Sequence, residues 1–174
     1  MYALALWDGP RKRLVLARDR FGKKPLFYHV GREGLVFASE LGALAASGHF
    51  ERQPDIDAID AFLCLQYVPS PFTGFVGVRK LPAGSRLVCE GGRVGEPERY
   101  FRLRFDQTRS GSLAELTAEL HTQIEDAVRV RMVSDVPLGA FLSGGLDSSL
   151  IVAMMARHSS GPVKTFSVGF TSKD

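Results

Sequence analysis

The chain has 174 residues, 45% hydrophobic and 24% charged, with a formal net charge of +3. That balance is ordinary for a globular protein with a packed core and argues against a disordered chain. The basic residues are dispersed, with short clusters at Arg11-Lys12-Arg13 and Lys23-Lys24, rather than the positive stripe interleaved with aromatics that marks a nucleic-acid binder.

The first hundred residues read as strand-rich. Tyr2 to Trp7 and Arg13 to Ala17 are apolar runs separated by Asp8-Gly9-Pro10-Arg11, which predicts a hairpin. Lys24 to Val30 and Leu35 to Ser39 flank Gly31-Arg32-Glu33-Gly34 and predict a second pair, and Leu87 to Cys89 with Arg93 to Val94 flank Gly91-Gly92 and predict a third. One helix is expected among them, over Asp55 to Tyr67. There Ile56, Ile59, Phe62 and Leu63 recur at helical spacing before Pro69 and Pro71 stop it. Cys64 and Cys89 form no Cys-x-x-Cys spacing, so they read as small core hydrophobes in a reducing compartment rather than as zinc ligands.

The stretch 106–111 is polar and reads as a linker between 1–105 and 112–174. Beyond it the pattern changes to α/β. Ser112 and Glu115 have capping-box spacing, and Leu113, Leu116, Leu120, Ile124 and Val128 follow on one helical face. Val136 to Leu142 is a strand candidate. Leu150, Ile151, Met154 and Met155 mark a helix ending by Gly161-Pro162, and Val163 to Phe170 is a second strand. Together they predict one βαβ unit with a right-handed crossover. Such a unit cannot cover both faces of a parallel sheet, so exposed apolar surface is expected.

The chemistry concentrates in Ser143-Gly144-Gly145-Leu146-Asp147-Ser148-Ser149. Two glycines after a strand let backbone N–H groups approach an anion, and the helix that follows points its free N–H groups and positive dipole end at the same place. Ser143, Ser148 and Ser149 would add hydroxyl donors. A carboxylate at Asp147 fits a polyphosphate site if it holds Mg²⁺; the plain alternative is that Asp147 or Ser143 only caps the helix. No lysine follows the glycines as in a Walker A loop, and Phe-Leu-Ser-Gly-Gly is not a nucleophile elbow.

Residues Asp135 to Ser149 resemble the loop of the N-type ATP pyrophosphatases, and more narrowly that of glutamine-hydrolysing asparagine synthetases. Ala3 to Asp8, Arg18 to Tyr28, Phe37 to Glu40, Val78 to Gly84 and Arg99 to Phe101 resemble the later half of that family's glutaminase domain. The resemblance implies an α+β part with antiparallel strands, from an Ntn-type class II glutamine amidotransferase domain. It further implies the start of an α/β parallel-sheet ATP pyrophosphatase domain. It also implies ATP and Mg²⁺ as cofactors, with aspartate and glutamine as the other small molecules. Aspartate would attack the α-phosphate to give β-aspartyl-AMP, and ammonia from glutamine would convert it to asparagine.

By the same resemblance, Phe141 offers its backbone to adenine, Val168 on the second strand flanks the nucleoside, and Ser143, Gly144, Gly145, Leu146, Asp147 and Ser148 surround the phosphates. Arg18-Asp19-Arg20 and Ser39-Glu40 are expected to be structural. The family's N-terminal cysteine nucleophile has no counterpart, since Met1 is followed by Tyr2. No catalytic residue is assigned, and the chain is expected to be a fragment without glutaminase activity and with weak ATP binding. Other readings are a related amidotransferase-ligase acting on another acid, or a non-catalytic ATP-binding module. No nucleic-acid or membrane partner is expected, the location is expected to be cytoplasmic, and a homodimer of the longer enzyme is left open.

Overall fold

The computed structural model describes residues 1–106 and 108–169. Gln107 of the expected linker, and Phe170 with Thr171-Ser172-Lys173-Asp174 at the end, lie outside the described residues. The chain divides into two compact units, Met1–Asp106 and Gln107–Asp174, and is mixed α/β with antiparallel sheets in the first.

In the first unit, β1 (Ala3–Asp8) and β2 (Arg13–Arg18) form the expected hairpin, closed by the Lys12 N–H donating to the Gly9 carbonyl. β3 (Phe27–Gly31) and β4 (Gly34–Ala38) pair as expected, although β3 starts at Phe27 rather than Lys24. The preceding Asp19 and Arg18 contacts hold the backbone of Lys23 and Lys24 in a loop instead. Two short helices follow, α1 (Leu41–Ala46) and α2 (Ile56–Leu65), then β5 (Val78–Lys80), β6 (Ser85–Glu90), β7 (Arg93–Val94) and β8 (Glu98–Arg99). One sheet runs β1-β2-β6-β7, with β8 also on β6, and the other runs β4-β3-β5; every pairing is antiparallel.

The core draws on both sheets. Leu16 of β2 and Leu87 of β6 are register partners, and they cluster with Tyr28 of β3 and with Leu26 and Leu81. Burying each such side chain contributes about 1.5–3 kcal/mol before chain entropy is counted. Beside this core lies a polar knot. The Asp19 side chain, 5% exposed, accepts from the N–H groups of Phe21, Lys23 and Lys24. Arg18 donates to the carbonyls of Gly22, Lys24 and Leu81. Two adjacent side chains thereby satisfy the backbone of a loop that has no ladder of its own.

Three expectations for this unit are corrected. Two helices are present where one was expected; α1 is short, contains Gly42 and buries only Leu44, so its sequence shows no apolar periodicity. α2 is N-capped by Asp55, which accepts from the Ala58 N–H, and ends at Leu65 with Gln66 left-handed. Its stripe Ile56, Ile59, Phe62 and Leu63 is exposed, and Ala58 is the buried residue. Cys64, on the same helix, is exposed rather than in the core; Cys89, on β6, is half-buried.

In the second unit, α3 (Leu113–Arg129) opens with the expected capping box between Ser112 and Glu115. It packs Val128 against Met154 and Met155 of α4 (Leu146–His158), with Ile124, Met132, Ala140 and Val163 around them. Leu113 and Leu120 of the expected stripe remain exposed. β9 (Gly139–Phe141) and β10 (Lys164–Phe166) pair in parallel on either side of α4, giving a β-α-β order. Both strands are shorter than expected. β9 begins only after Pro137, which has no N–H for a ladder, and β10 ends at Phe166, leaving Val168 beyond the strand.

Candidate functional site

The loop sits where β9 turns into α4. The parallel register places Gly139 opposite Lys164, Ala140 opposite Thr165 and Phe141 opposite Phe166. A Cβ on Gly139 would lie 2.7 Å from the Phe166 ring and 3.0 Å from the Lys164 carbonyl, so this position tolerates only glycine at the observed strand spacing. Sequence reasoning did not single out Gly139; the available signal was a glycine inside an apolar strand run. Past the ladder, the Leu142 N–H donates to the Phe166 carbonyl at 2.8 Å and the Ser167 hydroxyl donates to the Leu142 carbonyl at 2.6 Å.

The chain then leaves the strand through Gly144, whose φ of +82° lies in the region L side chains avoid. Gly145 is the N-cap of α4, and no side chain caps the helix. The expected alternative of a cap from Asp147 or Ser143 is therefore not what the structure shows: the cap position holds a residue without a side chain. The first-turn amides of Leu146, Asp147 and Ser148 are left without an intrahelical acceptor, and the positive end of the helix faces the loop. Such a terminus accepts an anion without rearrangement.

The hydroxyls are arranged differently from expectation. Ser148 Oγ and Ser149 Oγ each donate to the Gly145 carbonyl, at 3.1 and 2.8 Å, and Ser148 Oγ lies 3.1 Å from Ser143 Oγ. Ser148 and Ser149 thus each spend their one proton inside the helix turn, and the hydroxyl that borders the loop with a donor to share is Ser143. Asp147 stands in the first turn of α4. Phe141 at the end of β9 is 80% exposed, and Val168, beyond the end of β10, is 75% exposed. Phe141 and Phe166 lean on each other with ring centroids 6.4 Å apart. Of the residues singled out from sequence, Phe141 and Ser143 to Ser148 lie along one stretch, and the strand pairing with the Ser167–Leu142 bond brings the residue just before Val168 to its edge.

Residues 1–101 match the family model described as a glutamine amidotransferase domain. The chain belongs to that family. Residues 119–174, which contain the loop, match the model described as asparagine synthase. Over nearly all of its length the chain is similar to curated glutamine-hydrolysing asparagine synthetases. A putative one from Mycobacterium bovis is 40% identical, over 98% of this chain and 27% of that protein. A second, from Methanocaldococcus jannaschii, is 33% identical, over 99% of this chain and 34% of that protein. A protein named amidase chry2 from Gibberella zeae is 32% identical, over 89% of this chain and 23% of its own length. The chain thus spans about a third or less of the curated relatives it matches. Among the described residues, no helix is long and apolar enough to cross a membrane.

Proposed function

We propose that this chain is part of a cytoplasmic, glutamine-hydrolysing asparagine synthetase. Residues 1–105 belong to its glutaminase domain, 106–111 to the linker, and 112–174 to the start of its ATP pyrophosphatase domain. The observation that carries the reading is the uncapped N-terminus of α4 behind Gly144, within the segment that matches asparagine synthase. Free amides at a helix start suit the pyrophosphate of ATP, both bound and as it departs, and such preorganised donors supply much of the catalysis in phosphoryl and nucleotidyl transfer.

In this reading the amides of Leu146, Asp147 and Ser148, with the Ser143 hydroxyl, receive the β- and γ-phosphates. Phe141 and Val168 flank the nucleoside. Asp147 fits as a partner for Mg²⁺. No cluster of three or more His, Cys, Asp or Glu side chains stands among the described residues, and Mg²⁺ characteristically takes one or two carboxylates and completes its shell with phosphate oxygens and water. When bound, the ion would neutralise phosphate charge. The longer protein would then join aspartate to AMP through its side-chain carboxylate, releasing pyrophosphate, and ammonia from glutamine would displace AMP to give asparagine.

The similarity to an amidase from Gibberella zeae favours one second reading, the same two-domain chemistry acting on a different acid. The test is the protein containing this chain, supplied with glutamine, MgATP and aspartate. Asparagine and pyrophosphate formed in equal amounts would support the first reading. Glutamate release with no asparagine, but amidation of another carboxylic acid, would replace it with the second.

A further inference from the structure

Ser167 closes the parallel strand pair just beyond its ladder. β10 has ended at Phe166, yet the Ser167 hydroxyl reaches across 25 sequence positions to donate to the Leu142 carbonyl at 2.6 Å. A serine at a strand end more often turns its hydroxyl onto its own neighbouring backbone. Here it cross-links two chain segments instead. Leu142 lies between Phe141 and Ser143, and Ser167 lies directly before Val168. Among the described residues, this bond and the Leu142 N–H bond to the Phe166 carbonyl are the hydrogen bonds that tie the two segments together past the ladder.

We infer that Ser167 is a positioning residue: its hydroxyl latches the two strand ends so that Phe141 and Val168 are held at the spacing that receives the nucleoside. This rests on the nucleotide-binding reading of the loop and extends it to a residue outside the glycine-rich motif. The latch acts on the nucleoside side. The phosphate side is organised separately, by Gly144 and by the Ser148 and Ser149 bonds to the Gly145 carbonyl.

The experiment titrates the full chain with MgATP and, separately, with inorganic pyrophosphate, for wild type, Ser167→Ala and Ser167→Thr. The variants are first checked for unchanged circular dichroism. Loss of one neutral hydrogen bond predicts about a fivefold weaker MgATP affinity for Ser167→Ala. Pyrophosphate affinity should change less than about twofold, and threonine, which keeps the hydroxyl and suits extended backbone, should restore MgATP binding. If wild type binds MgATP and Ser167→Ala binds it equally well, the latch is refuted while the loop reading stands. The latch is equally refuted if Ser167→Ala weakens both ligands alike, since that is a general loosening. If wild type binds neither ligand, the loop reading itself fails, and the latch with it.

Discussion

Replacing Asp19 with asparagine tests whether the polar knot beside the first core is held by a carboxylate. Asp19 Oδ1 accepts from the Phe21 and Lys23 amides at 3.2 and 3.1 Å, and Oδ2 accepts from the Lys24 amide at 3.0 Å. In asparagine the amide oxygen can keep the first pair, but the NH₂ group then meets the Lys24 N–H donor to donor. One charge-assisted bond is lost and the others weaken, which costs about 2–3 kcal/mol. Burial pushes the Asp19 carboxyl up, but the backbone N–H groups of Lys24, Lys23, Phe21 and Tyr2 outweigh it and hold the group at about 2. Because the folded value lies below the ordinary 3.8, the stabilisation is fully present above that ordinary value and is lost as pH falls toward 2. Urea denaturation of both proteins, from neutral pH down to about pH 2, measures both effects. The variant should be less stable near neutrality and show a flatter decline in acid. A difference below about 0.5 kcal/mol at neutral pH, typical of an unremarkable surface change, or an unchanged acid slope, would refute the reasoning.

Gly139→Ala drives a Cβ to within 2.7 Å of the Phe166 ring. It should cost about 1–3 kcal/mol as overpacking, visible as faster hydrogen exchange at the Leu142 amide, which bonds to the Phe166 carbonyl. Ser112→Ala removes the capping-box acceptor of the Glu115 N–H and should destabilise α3 by about 1 kcal/mol, measured by denaturation of the second unit. Asp147→Asn should weaken MgATP binding by about tenfold, the scale of one charge-assisted contact. Calorimetry with and without Mg²⁺ checks this, and metal-free ATP should bind no worse to the variant.

The hairpins were legible because turn residues and alternating apolar runs are local signals: Asp8 to Arg11 and Gly91-Gly92 mark their turns without reference to the rest of the chain. The capping box at Ser112 was legible for the same reason. α1 was not, since a six-residue helix that buries Leu44 alone has too few turns to display a period. Burial was the weakest inference. Ile56, Phe62, Leu63 and Cys64 have helical spacing or apolar surroundings, but spacing gives a face and does not say whether anything covers it. At the candidate site the glycine-rich stretch announced its position. Which amides were free and which hydroxyls were already engaged was not legible, because Ser148 and Ser149 choose between a ligand and the Gly145 carbonyl by rotamer geometry that no local sequence pattern signals. Ser167 lay outside any motif, and its contact with Leu142 depends on the parallel pairing of two strands separated by a helix.

The most direct test of the account is an NMR titration of the chain with MgATP, following the backbone amides. Saturable shifts are expected at Gly144 to Ser148, Phe141 and Val168, with an affinity on the order of millimolar. Shifts absent from this loop at saturating nucleotide, or confined to other parts of the chain, would contradict it.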